Sequence, residues 1–162
     1  CKFFNVKEVE IPAKTYLSVP QSIIHSGGTV KFSDEKWCGV YQLKPYPIYD
    51  AAKRFTSGMY KSGTNMCLSF HVKKHLAIGK GGMILTDNKY IVDWLRVARY
   101  EGRHAVPYKE DDITMLGWNM YMTPQQAAHG LALMQNYPEN MPDQIEEGGY
   151  RDLREFTIFK NK

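Results

Sequence analysis

The stretch from Cys67 to Asp87, CLSFHVKKHLAIGKGGMILTD, restricts the fold of this chain more than any other. An apolar run ends in Ser69-Phe70-His71, a polar turn carries Lys73 and Lys74, a corner holds Gly79, Gly81 and Gly82, and a second short apolar run follows. Short apolar runs bounded by turn formers read as strands, expected here over 66–70 and 83–86. The lysines then sit at the mouth of a strand, in the turn that joins it to the next.

The flanking segments alternate between strand and helix patterns. Residues 6–11 (VKEVEI) alternate apolar and charged and predict a short strand ended by Pro12. A helix follows Ser18, with Pro20 in its first turn and Gly27-Gly28 as its stop. Residues 29–32 read as a strand, and 33–47 as an aperiodic loop with room for one short strand. Ile48-Tyr49 reads as a strand end passing into a helix at Asp50-Ala51-Ala52.

Asp87 is expected to cap a helix whose Ile91, Trp94, Leu95 and Ala98 share one face, with Gly102 as its end. Thr123-Pro124-Gln125-Gln126 forms a capping box for a helix to about residue 136. A weaker helix is expected over 143–159, interrupted by Gly148-Gly149. Strands alternating with helices predict an α/β fold with a mainly parallel sheet and no internal repeat.

At 162 residues the chain amounts to about one domain. Its 43% hydrophobic and 23% charged residues are ordinary globular values. A net charge of +4 from dispersed lysines does not point to nucleic acid, and suits an anionic small molecule as well. No apolar run reaches membrane-spanning length and no signal peptide is visible. Cys1, Cys38 and Cys67 lack metal-ligand spacing and suggest a reducing, cytoplasmic setting. His25, His104 and His129 show no pairing suited to a metal or a catalytic triad.

A lysine amine at a strand mouth, five residues after a serine, can form a Schiff base with an aldehyde cofactor whose phosphate the hydroxyl and nearby amides hold. Lys74 is the central candidate and Lys73 its register rival. A lone turn lysine is otherwise a solvated surface residue. Free lysine titrates near pH 10.4, so this chemistry also needs burial or neighbouring cations to neutralise the amine.

Ser69-Phe70-His71-Val72-Lys73-Lys74 followed by Gly79-Lys80-Gly81-Gly82-Met83 resembles the signature of the DegT/StrS-type sugar aminotransferases. The resemblance extends from about Val9 to Leu133. It implies the large domain of the aspartate-aminotransferase-like fold, pyridoxal phosphate as cofactor, and Lys74 as the Schiff-base lysine. It further implies transfer of an amino group from an amino acid, glutamate by expectation, to a keto sugar carried on a nucleotide. The expected assembly is a homodimer with the site shared between subunits.

Four more residues match family positions, each with a plain structural alternative. Asp50, in Asp50-Ala51-Ala52, would stand beside the ring nitrogen of the cofactor, or simply cap a helix. Lys53 lies where the family has Gln or His. Tyr16, after Pro12-Ala13-Lys14-Thr15, would stack on the ring or belong to the core. Ser69 would hold the phosphate or satisfy a strand-end carbonyl. Asn119, in Gly117-Trp118-Asn119, would reach the cofactor phosphate of the neighbouring subunit or serve a turn.

Residues 1–162 are expected to form a single, partial cofactor-binding large domain without a recognisable small C-terminal domain. A truncated relative that binds without turnover is one alternative. A sugar dehydratase of the same fold is another, disfavoured because those relatives carry histidine in place of the lysine.

Overall fold

The computed structural model of the protein describes residues 1–160. Strand β1 (Glu8–Pro12) obeys the period of two: Val9 and Ile11 are buried while Glu8 is exposed. Helix α1 (Ser18–His25) buries Pro20 and Ile23 and returns the chain to β2 (Thr29–Ser33), which pairs with β1 in parallel from Glu8↔Thr29 to Pro12↔Ser33. These elements form one β-α-β crossover.

A second sheet has the order β3-β4-β5-β6, with β3 at Tyr41–Gln42, β4 at Ile48–Asp50, β5 at Asn65–Ser69 and β6 at Gly82–Leu85. The α/β architecture is therefore present, and its pairings are parallel or antiparallel according to their connections. β4 and β5 run parallel, whereas β3–β4 and β5–β6 are antiparallel. Antiparallel neighbours need only a turn or short loop between them, while parallel neighbours need a crossover. At the corner, Gly82 faces Ser69, and a Cβ there would stand 2.4 Å from the Leu68 carbonyl oxygen, so only glycine lets β6 pair this closely.

The core has two parts. Val6, Val9, Ile11, Ile23, Tyr41, Leu43 and Ile48 pack between the sheets, and Ala51, Met66, Leu68, Phe70, Leu76 and Ile78 pack behind the lysine turn. Ile23 and Val9 are fully enclosed, each contributing about 1.5–3 kcal/mol through removal of apolar surface from water.

Several local expectations are corrected. No helix follows Asp50: its carboxylate accepts from Ala52 N at 2.9 Å and Arg54 N bonds to Ala51 O at 3.0 Å, closing a turn. Asn88, not Asp87, caps α2 (Lys89–Ala98), accepting from Tyr90 N and Ile91 N. Asp87 instead accepts from Ser62 Oγ at 2.6 Å and Gly63 N at 3.0 Å. The Thr123 capping box does form and opens α3 (Pro124–Met134).

The helix expected over 143–159 is absent. Its polar groups find tertiary partners, Gly148 and Gly149 take φ of +75° and +70°, and only 3-10 turns at Leu153–Glu155 and Thr157–Phe159 remain. Among the described residues no helix is long and apolar enough to cross a membrane.

Candidate active site

Asp50 ends β4 beside the paired strand β5, with its backbone opposite Cys67. Its Oδ2 accepts a 3.0 Å bond from the Tyr41 hydroxyl, which is itself 2.8 Å from Thr15 Oγ1. Tyr41 and Thr15 are buried at 3% and 2% exposure, so the three groups form an enclosed relay from β1's end through β3 to β4. If Tyr41 donates to the carboxylate, Thr15 donates to Tyr41 and every bond is satisfied.

Burial pushes the Asp50 carboxyl above the usual aspartate range, with the bonds from Ala52 and Tyr41 and the charge of Lys74 opposing it. Among the described residues no cation lies within ion-pair distance of this carboxylate. Burial also raises the Tyr41 phenol far above its normal value, reinforced by the charge of Asp50. Tyr41 therefore stays a hydrogen-bond donor at any ordinary pH.

The lysine turn separates the two rival amines. Lys73 is exposed, whereas Lys74 is partly buried and its backbone N–H bonds to His71 O at 2.8 Å. The Lys74 amine is lowered from its ordinary value, first by burial and then by the charge of Lys53, against the opposing pull of Asp50 and Glu146. These are the two influences that the chemistry of a neutral amine calls for.

Residues 142–153 cross the front of this region as a strap. Asp143 takes both a Nε bond (2.7 Å) and an Nη2 bond (2.6 Å) from Arg54. Gln144 ties two loops together, its backbone N–H bonding to Lys53 O at 2.9 Å and its side-chain amide to Lys73 O at 3.2 Å. His75 Nε2 lies 2.9 Å from Pro142 O. Further on, Leu153 N bonds to Ala13 O at 2.9 Å. Between these anchors Glu146 reaches Lys53 Nζ at 2.5 Å, and the Tyr150 ring lies 5.2 Å from the same amine and stacks on Trp37. A cavity of about 490 Å³ opens here, walled by Trp37, Lys53, Glu146 and Tyr150 among others, beside Asp50 and Lys74 rather than around them.

Asp50 and Lys74 thus come together. Tyr16 follows the relay residue Thr15 directly and is 58% exposed, so its ring lies at the surface rather than in the core. Ser69 Oγ accepts only a long 3.4 Å bond from His71 N, which leaves its hydroxyl proton free to be donated. Asn119 is bridged to Tyr100 and donates from Nδ2 to Glu101 Oε1 at 3.0 Å. Its loop is held by a close approach of glycines: a Cβ on Gly117 would stand 2.1 Å from Gly102 N.

Tyr41, Lys53, Glu146 and Tyr150 were not foreseen as site residues. A lysine three positions after Asp50, in place of the family's Gln or His, is the one local sign of them. Tyr41 and the strap carry no periodic signal at all.

The fold is similar to that of solved sugar aminotransferases. The structure matches the sugar aminotransferase CalS13 from Micromonospora echinospora with a TM-score of 0.66 at 15% identity, covering 81% of this chain and 49% of that one. It matches Helicobacter pylori PseC, an aminotransferase involved in the biosynthesis of pseudoaminic acid, with a TM-score of 0.65 at 16% identity over 82% of this chain and 47% of that one. A Bacillus cereus protein assigned as a PLP-dependent aminotransferase gives 0.68 at 21% identity, over 82% and 47% of the two chains.

The sequence pattern of the DegT/DnrJ/EryC1/StrS aminotransferase family matches residues 48–149, more than half of the chain, and the chain belongs to that family. Two curated proteins are also similar to the chain. A UDP-4-amino-4,6-dideoxy-N-acetyl-beta-L-altrosamine transaminase of Campylobacter jejuni is 26% identical over 112 residues, covering 65% of this chain and 30% of the relative. An uncharacterized protein of Methanocaldococcus jannaschii is 30% identical over 145 residues, covering 78% and 36%. The chain therefore spans about a third of the length of these curated relatives and about half that of the solved structures.

Proposed function

We propose that residues 1–162 form part of the cofactor-holding large domain of a pyridoxal phosphate-dependent sugar aminotransferase. The supporting observation is a part-buried carboxylate at Asp50, held by Tyr41 and Ala52 N with no cation in ion-pair range among the described residues, together with a partly buried amine at Lys74 whose proton affinity burial lowers. A carboxylate with no cation beside it suits a protonated ring nitrogen, which would supply the missing positive charge. The residues thus fit the cofactor that family membership implies.

When bound, pyridoxal phosphate supplies an aldehyde and an electron-withdrawing ring through which an amino group passes between substrates. Asp50 keeps a proton on the ring nitrogen, and Tyr41 with Ala52 N holds the carboxylate in place for that task. Lys74 Nζ, its proton affinity lowered by burial and Lys53, would be the nucleophile toward that aldehyde and the group that moves the proton at the substrate carbon. Tyr16 offers a ring face for stacking, and Ser69 a hydroxyl donor for a phosphate oxygen. Asn119, whose side chain bonds to Glu101 within the subunit, serves the site of a second copy in a homodimer.

The substrates in this reading are an amino-acid donor, with glutamate the expected one, and a keto sugar carried on a nucleotide, handled in the cytoplasm. The free thiols of Cys1, Cys38 and Cys67 are compatible with that setting.

The test is chemical. Incubation with pyridoxal phosphate followed by borohydride should leave a reduced adduct on Lys74, found by peptide mass spectrometry. An adduct on Lys73 instead, or none, would refute the assignment.

A further inference from the structure

Lys53 is a buried ammonium that the proposed chemistry uses only through its field. Its side chain is 6% exposed and it faces the cavity of about 490 Å³. That volume lies within the range of small-molecule sites. A lysine is rarely buried without a counterion because desolvation is costly, and here the counterion is Glu146, whose own side chain is 46% exposed.

The strap does not depend on that ion pair. One end is fixed by the Arg54–Asp143 fork and by Gln144, the other by Leu153 N on Ala13 O. Between them Ile145 is 84% exposed and Gly148 and Gly149 take left-handed φ, so Glu146 can turn outward without releasing either anchor.

Among the remaining charges of the cavity wall, the acids are paired and two lysines are not. Asp34 pairs with Arg154 at 2.6 Å and Glu35 with Lys44 at 2.6 Å, both partners lying outside the wall. Lys14 and Lys36 have no acidic partner within 4.0 Å among the described residues. The wall's own charges balance, Lys14, Lys36 and Lys53 against Asp34, Glu35 and Glu146, so the two unpaired lysines are what an anion would meet there. Trp37 and Tyr150 add an aromatic wall, their rings 6.0 Å apart and 18° from parallel.

We propose that Lys53 is the receptor for an oxyanion group of the substrate, a carboxylate or a phosphate, and that Glu146 is an internal carboxylate holding the position until the substrate displaces it. Lys53 beside Glu146 already holds that carboxyl below the usual glutamate range. The inference rests on the proposed function for the nature of the substrate, but its test needs no turnover.

Calorimetric titration of the protein with UDP and, separately, with glutarate distinguishes the sources of the anion. Glu146→Gln should tighten at least one of them about tenfold, because the internal competitor loses its charge. Lys53→Met should weaken that same probe at least tenfold, in either background, and Lys53→Arg should restore most of the affinity. The responding probe names the group, phosphate for UDP and carboxylate for glutarate.

A Glu146→Gln variant that binds both probes as the parent does, or no measurable binding by any variant, overturns the proposal. Should Lys53→Met fail to fold, the Glu146→Gln and Lys53→Arg comparison still decides. A reduced adduct on Lys74 in the parent protein shows that the proposed function stands whatever the anion affinity of the variants.

Discussion

Strands β5 and β6 pair residue for residue from Met66↔Leu85 to Ser69↔Gly82, yet their surroundings are opposite. β5 buries Asn65, Met66 and Leu68, while Met83 and Ile84 of β6 are 50% and 41% exposed. Both are short apolar runs in the sequence, and both complete a ladder. The difference is what lies on their faces: β5 is inside its sheet with the second core packed on it, whereas β6 is an edge. Backbone pairing therefore does not tell where the apolar side chains are covered. The same division runs through the candidate site. Asp50, Tyr41 and Lys74 sit on the enclosed side, and Asn119 sits in a loop whose neighbours Leu116 and Met120 are 93% and 68% exposed. In the proposed homodimer, it is this exposed side that a second copy covers.

The largest effect should separate the two strands. Met66→Ala is expected to lower unfolding free energy by about 2–5 kcal/mol through lost burial and a residual cavity. Met83→Ala should stay within about 0.5 kcal/mol in the isolated chain. Denaturant melts of both variants test this, and equal losses would mean that β6 is covered in solution.

Asp50→Asn is expected to cut amino transfer by about a hundredfold, or about 2.7 kcal/mol of barrier. Cofactor binding should change much less, because the phosphate contacts survive. An unchanged half-reaction with glutamate would reduce Asp50 to a turn residue. Its stability should move the other way. The folded pKa of Asp50 lies above its ordinary 3.8, so the unfolded chain ionises first as pH rises. The stability that the protonated carboxyl contributes is complete below pH 3.8 and is lost as pH rises through the raised value. Asparagine carries no such loss. Without cofactor, Asp50→Asn should thus melt higher than the parent above that window and show no such advantage below it. A parent without this fall in stability would contradict the buried-carboxylate reading.

The smallest effect belongs to the exposed half. Asn119→Ala should cost under about 1 kcal/mol, the net worth of one hydrogen bond to Glu101, while weakening cofactor retention in the assembled protein. Mixed with Lys74→Ala subunits, it should regain activity, since one site of each hybrid dimer would be intact in both residues. Absence of rescue despite demonstrated subunit exchange would rule out the shared site.

What the sequence by itself determined is the part of this protein whose causes are local. The capping box at Thr123, the stop of α1 at Gly27-Gly28 and the strand–turn–strand around Lys74 each depend on residues within a few positions of one another, so they were legible. The family resemblance in the Ser69-to-Lys74 spacing likewise favours one amine, independently of its burial. Tertiary structure decided the rest. Asp50 and Asp87 both have the local look of helix caps, but Asp50 is taken by Tyr41 and a turn, and Asp87 by Ser62 and Gly63. Residues 143–159 have a weak helical pattern, yet become a strap because Arg54, Lys53 and Ala13, all distant in the chain, offer stronger partners for their polar groups. Helix propensity differs by less than about 1 kcal/mol per residue, proline apart. A charge-assisted hydrogen bond contributes more than that, about 1.5–3 kcal/mol. Where such distant partners exist, they override the local preference.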